Sequence, residues 1–144
     1  MKKKVAILGS TGSIGKTLIN IIKQDKKNFE IVLLSADENY KQLLKQAKFF
    51  KVKNLIITNQ NSYKKVKENR FYKNMNIYNN FKNFRKIFKK KIDYTMSSIS
   101  GIQGLKPTIE IIKYTKKIAI ANKESIICGW DLIEKRLNKN KTKF

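Results

Sequence analysis

The chain has 144 residues, 41% of them hydrophobic, with 33 lysines and arginines against 10 acids, one cysteine and no histidine. That length and apolar content suit one folded domain and exclude a disordered chain, and no apolar run approaches the ~20 residues that span a bilayer. The single cysteine excludes an internal disulfide, and the lack of histidine excludes Ser-His-Asp, Cys-His and imidazole–metal chemistry.

Lys4–Leu8 reads as a first strand, apolar without interruption as in a parallel strand covered on both faces. A glycine-dense turn follows, and Ser13–Gln24 then reads as a helix with Ile14, Leu18, Ile21 and Ile22 on one face. Glu30–Ser35 is a second buried strand, Asn39 caps a helix running to about Phe49, and Asn54–Thr58 is a third strand. Between Asn59 and Lys91 lysine, asparagine and aromatics alternate, giving only a short helix at Ser62–Asn69, a strand at Met75–Tyr78 and a helix at Phe81–Phe88. Ile92–Ser97 is again a clear strand. Pro107 stands in the first turn of a helix reaching about Thr115, and strand Lys117–Ala121 leads to a closing helix at Glu124–Leu137. Thr142-Lys143-Phe144 begins a further strand. Strand and helix alternate throughout, so the expected fold is α/β: a Rossmann-like, doubly wound, mainly parallel sheet in a single domain, residues 1–144.

The net charge of +23 first points to nucleic acid. Arginine, however, occurs only at positions 70, 85 and 136, and the lysines are spread over nearly every segment rather than along one stripe. Lys, Asn and Ile are abundant together, as codon bias in an AT-rich genome produces. The charge therefore reads as a solvated surface, with specific nucleic-acid binding the weaker reading. Met1-Lys2-Lys3-Lys4 carries the charge of a signal peptide, but the apolar stretch after it is too short, so a cytoplasmic protein is expected.

Three places carry potential chemistry. Gly9-Ser10-Thr11-Gly12-Ser13-Ile14-Gly15 places glycines three apart between a buried strand and a helix. Such a turn offers backbone N–H groups, and here the hydroxyls of Ser10, Thr11 and Ser13, to a phosphate; the helix N-terminus adds a field worth about 0.3–1 kcal/mol. The G-x-x-G-x-x-G spacing differs from the standard dinucleotide fingerprint, so it indicates a nucleotide without saying which. At the end of the second strand, Asp37 or Glu38 stands where an acid commonly accepts the ribose 2′-hydroxyl, which would favour NAD because a carboxylate repels a 2′-phosphate. Ala121-Asn122-Lys123-Glu124-Ser125 follows another strand, where polar groups line the ligand crevice and Asn122 also serves as a helix cap. The ten acids form no evident metal site, and Cys128, within an apolar helix, reads as core.

Taken together, G-S-T-G-S-I-G, the segment Ile99-Ser100-Gly101-Ile102-Gln103-Gly104-Leu105-Lys106-Pro107-Thr108 and A-N-K-E-S resemble, in order and register, the 1-deoxy-D-xylulose 5-phosphate reductoisomerase family. That resemblance implies an NADPH- and divalent metal (Mg or Mn)-dependent rearrangement and reduction of a sugar phosphate to 2-C-methyl-D-erythritol 4-phosphate, in isoprenoid precursor synthesis, by a homodimer. It further implies that Thr11, Gly12, Ser13 and Ile14 bind the cofactor pyrophosphate region and that Asn39 faces the adenosine ribose. Asn122 and Glu124 would contact cofactor, and Lys123 substrate. Two departures stand out. Asp37 and Glu38 replace the glycine and basic residue expected before the asparagine, which opens NADH as an alternative cofactor. The family's acidic metal ligands belong to a Pro-x-Asp-Ser-Glu-His stretch that would lie just past Phe144. The expected function is thus the cofactor-binding part of the reductoisomerase, with no catalytic or metal residue of its own. An inactive remnant or separated subunit, and a basic nucleic-acid-binding module, are the alternatives.

Overall fold

The computed structural model describes residues 1–144. Six strands, β1 (Lys3–Leu8), β2 (Phe29–Ala36), β3 (Asn54–Ile57), β4 (Asn76–Tyr78), β5 (Ile92–Ser97) and β6 (Thr115–Ile120), form one sheet in the order β4-β3-β2-β1-β5-β6. Every neighbouring pair is parallel. The order reverses between β1 and β5, so the ends of those two strands part and open the crevice where ligands bind in such sheets.

The helices divide between the faces as right-handed crossovers require. Helices α1 (Ser13–Gln24), α2 (Tyr40–Phe50) and α3 (Gln60–Lys67) cover one face, where Ile19, Ile22, Leu43, Ala47 and Val66 pack on Val5, Ile7, Leu34 and Leu55. The chain then crosses the sheet, and α4 (Phe84–Ile87), α5 (Leu105–Ile111) and α6 (Lys123–Asn140) cover the other. There Phe84, Ile111, Ile133 and Leu137 pack on Ala6, Leu8, Leu33 and Ile118. No helix is long and apolar enough to cross a membrane.

Asparagine starts much of this structure. Asn39, Asn59 and Asn122 each accept a hydrogen bond from the backbone N–H three residues on, and Asn69 and Asn80 do so two residues on. Each such cap is worth about 1 kcal/mol against alanine. The residues 59–91 that read poorly as sequence resolve into α3, a 3₁₀ turn at Arg70–Tyr72, β4, a second 3₁₀ turn at Phe81–Asn83 and the four-residue α4. At the other end, Lys143 forms one parallel bridge with Lys117, the beginning of the strand expected there.

Two expectations are corrected. The buried side of α1 is Gly15, Ile19 and Ile22, while Ile14 and Ile21 are 46% and 57% exposed. Cys128 is exposed rather than core, because the buried positions of α6 are Ser125, Gly129, Ile133 and Leu137, and Cys128 lies off that line.

Candidate functional site

The turn after β1 is built by its glycines and by serines from elsewhere in the chain. Gly9 has φ +80°, a conformation an L side chain rarely adopts, and a Cβ there would stand 2.7 Å from the Ser98 carbonyl oxygen. Gly15 admits α1 against the turn: an added Cβ would collide with the Gly9 carbonyl and lie 2.6 Å from Ser10 Cα. Gly12 differs from both. Its φ is −75°, and the nearest atom to an added Cβ is the Gly9 carbonyl oxygen at 3.6 Å, an ordinary contact. Neither backbone strain nor crowding demands glycine at position 12, which leaves the open side of the turn as the reason for it.

Ser35, on β2, ties the turn down. Its hydroxyl accepts from Gly9 N–H (2.9 Å) and its carbonyl from Ser10 N–H (2.9 Å). Just past β5, Ser98 donates through its N–H and its hydroxyl to the Leu8 carbonyl (2.9 and 2.8 Å). No side chain caps α1, whose first turn therefore keeps its N–H groups for an anion.

Two hollows flank Gly12. One, about 490 Å³, extends over β2 and β3, between Gly12, Ala36, Asp37, Thr58 and Phe81. The other, about 250 Å³, extends towards β6, between Ser13, Ile14, Gly101, Asn122, Lys123 and Glu124. Gly12, Ser98, Ile99 and Ser100 line both, so the two are halves of one cleft across the point where the strand order reverses. A cleft with Gly12 at its centre and a hollow on each side has the form of a dinucleotide site.

Residues 5–129 match the family model for 1-deoxy-D-xylulose 5-phosphate reductoisomerase, most of this chain. The chain belongs to that family. It is 58% identical over 146 residues to the reductoisomerase of Pelagibacter ubique, covering 99% of this chain and 37% of that protein. The Clostridium kluyveri enzyme is 36% identical, with 99% and 38% covered. The chain thus spans little more than a third of the length of these relatives. Among solved structures, the Zymomonas mobilis reductoisomerase in complex with NADPH superposes with a TM-score of 0.88 at 28% identity, over 99% of this chain and 38% of that one. A reductoisomerase structure with NADPH, fosmidomycin and magnesium gives 0.84 at 28% identity, over 97% and 35%. The fold is that of the matched part of these reductoisomerases, a Rossmann-like α/β domain.

In this reductoisomerase domain the cleft gathers Thr11, Gly12, Ser13, Ile14, Asp37, Asn122, Lys123 and Glu124. Glu38 and Asn39 sit just outside it and are exposed, with Asn39 Oδ1 occupied by the N–H of Gln42 at 3.2 Å. Ser10 is a correction. Rather than facing a phosphate, it is fully buried, donating to Gln46 Oε1 (2.7 Å), while Gln46 Nε2 donates to the Ser10 carbonyl (2.9 Å). Asn122, 3% exposed, spends its amide on the protein: Nδ2 donates to the carbonyls of Ile99 and of Gly101 (2.7 Å), and Oδ1 accepts from Ser125 N–H (2.8 Å). It clamps the Ile99–Gly101 wall to the start of α6, and the same clamp leaves no room for a Cβ at Gly104.

Gln46, Thr58 and Ser98 were not legible as site residues from the sequence. Their only signal is a place at or near the carboxyl end of a strand, or, for Gln46, a polar residue on the buried side of a helix. Nowhere do three His, Cys, Asp or Glu side chains gather as a metal site.

Proposed function

We propose that this chain is the part of a cytoplasmic 1-deoxy-D-xylulose 5-phosphate reductoisomerase that holds the nicotinamide dinucleotide; the similar Zymomonas mobilis reductoisomerase forms a complex with NADPH. The observation that carries this reading is Gly12, a glycine required by neither strain nor packing, open at the centre of a two-sided cleft. The pyrophosphate would lie over Gly12 against the first turn of α1, with Thr11 and Ser13 as hydroxyl donors. Adenosine would occupy the hollow by Asp37 and Thr58. The nicotinamide, which supplies hydride when bound, would enter the hollow by Ile14, Asn122 and Glu124. Lys123, the one basic residue lining that hollow, would meet the anionic sugar phosphate.

Rearrangement of the substrate needs the divalent ion, for which this chain gathers no ligands, so turnover is assigned to the full length of the relatives. Fluorescence titration with NADPH and NADH tests the reading: saturable binding of either supports it, and flat titrations with both defeat it. Incubation with 1-deoxy-D-xylulose 5-phosphate, NADPH and Mn²⁺ should give no product from these 144 residues. Product would show that the chain assembles a metal site after all.

A further inference from the structure

The adenosine end of the cleft carries one ionisable side chain, and it is an acid. Asp37 is the only charged group lining the hollow over β2 and β3; none of the 33 lysines and arginines lines it. The carboxylate is held in place. Thr58, just past the end of β3, donates from its hydroxyl to Asp37 Oδ1 at 2.7 Å. Thr58 is itself fixed, its N–H donating to the Ala36 carbonyl (3.1 Å) and its carbonyl accepting from Asn79 Nδ2 (3.3 Å). Its single hydroxyl proton is committed to one carboxylate oxygen, which leaves the other for a ligand.

We propose, on the footing that this cleft takes a nicotinamide dinucleotide, that Asp37 is its specificity-determining residue, that Thr58 is the positioning residue behind it, and that the pair makes this chain bind NADH in preference to NADPH. An ionised carboxylate only accepts hydrogen bonds, and ribose hydroxyls are donors that satisfy it. A 2′-phosphate offers no such donor and carries up to two negative charges. Contact repulsion between that dianion and one exposed carboxylate, at water-like dielectric and physiological ionic strength, amounts to about tenfold in affinity. Glu38 adds charge of the same sign beside it, and Lys41, one helical turn on, is exposed and does not line the hollow. The net charge of +23 pulls the other way. That attraction is spread over the whole surface, however, and fades beyond the ~8 Å Debye length of 0.15 M salt, whereas Asp37 acts in contact.

The test is a pair of titrations, NADH and NADPH, at 0.15 M salt on the full chain and on two variants altered at side chains outside the core. The wild-type chain should bind NADH about tenfold more tightly than NADPH. Asp37→Ala should weaken NADH, strengthen NADPH and bring the ratio near one. Thr58→Val, which keeps the shape and removes the donor, should move the ratio part of the way. Equal or tighter NADPH binding by the wild type, or an unmoved ratio in Asp37→Ala, overturns the inference while leaving the dinucleotide reading intact. An unmoved ratio in Thr58→Val alone overturns the positioning role. Failure of both nucleotides to bind overturns the dinucleotide reading and the inference with it.

Discussion

Gly12 and Gly15 lie three residues apart in one motif, yet their substitution should have opposite consequences. A Cβ at Gly15 would collide with the Gly9 carbonyl and stand 2.6 and 2.8 Å from the Ser10 backbone. Those atoms cannot swing aside as a side-chain tip can, because Ser10 is bonded to Ser35 and Gln46. Overpacking of this kind costs about 1–3 kcal/mol. For a domain of this size that lowers the melting temperature by roughly 4–10 °C. At Gly12 the added Cβ meets nothing closer than 3.6 Å. The loss of a tolerated glycine N-cap, worth a few tenths to about 1 kcal/mol, is offset by the similar gain from a less flexible unfolded chain. Gly12→Ala should therefore melt within about 2 °C of the wild type, and Gly12→Val should fold yet bind dinucleotide at least about tenfold more weakly. Circular-dichroism melts and nucleotide titrations measure both quantities on the same samples. Gly12→Val with undiminished dinucleotide affinity would refute the placement of the pyrophosphate. Gly15→Ala as stable as wild type would refute the packing argument.

Asn122→Ala should cost about 2–4 kcal/mol in urea unfolding, since it removes the α6 cap and strands two carbonyls that Nδ2 now serves; a loss below 1 kcal/mol would show that water replaces the clamp. Asp93 has its pKa lowered by the hydrogen bond from Lys116 (2.8 Å), with further help from the Lys4 N–H (2.9 Å). A depressed carboxylate pKa stabilises the fold above the unfolded value near 4, and that contribution is lost as pH falls through the lower folded value. Asp93→Asn should thus destabilise the protein slightly at pH 7, by under about 1 kcal/mol for so exposed a pair, and leave it indistinguishable from wild type at pH 2; an equal difference at both pH values would contradict this. Cys128 should react with a thiol reagent in the folded protein as fast as in urea, and strong protection would place it back in the core.

The strands were legible because parallel strands buried on both faces read as unbroken apolar runs. β5 has the expected limits, Ile92–Ser97, and the other strands lie within about two residues of theirs. Helix faces were less secure for a definite reason. A 3.6-residue period drawn through large apolar side chains gives Ile14, Leu18 and Ile21, but the face that packs is centred on Gly15, which carries no apolar weight. Rotating the helix to admit Gly15 turns Ile14 to the cleft and Ile21 to a hollow beside Tyr94. Ser10 was misread for the opposite reason: its partner, Gln46, lies 36 residues away on another helix, and no local pattern shows which way a hydroxyl turns. Asn39 and Asn122 cap helices as expected, whereas Asn59, Asn69 and Asn80 read only as composition and cap a helix and two 3₁₀ turns.

The cleft and the surface follow different rules. Lysine is found in nearly every segment of the chain, and only one ion pair, Lys116–Asp93, partners any of it. Lysines so placed change little, because a solvated ammonium costs the fold almost nothing wherever it stands. The cleft has no such freedom. Its walls are glycine, small hydroxyls and backbone, and the polar side chains closest to it are already spent: Ser10 on Gln46, Ser35 on Gly9, Ser98 on Leu8 and Asn122 on the Ile99–Gly101 wall. What is left for a ligand includes backbone N–H, the hydroxyls of Thr11 and Ser13, and the charges at opposite ends, Asp37 at one and Lys123 with Glu124 at the other. An anionic bridge held by backbone at the centre suits any dinucleotide. Discrimination between one dinucleotide and another is therefore left to the ends, and at the adenosine end the only charge available is negative.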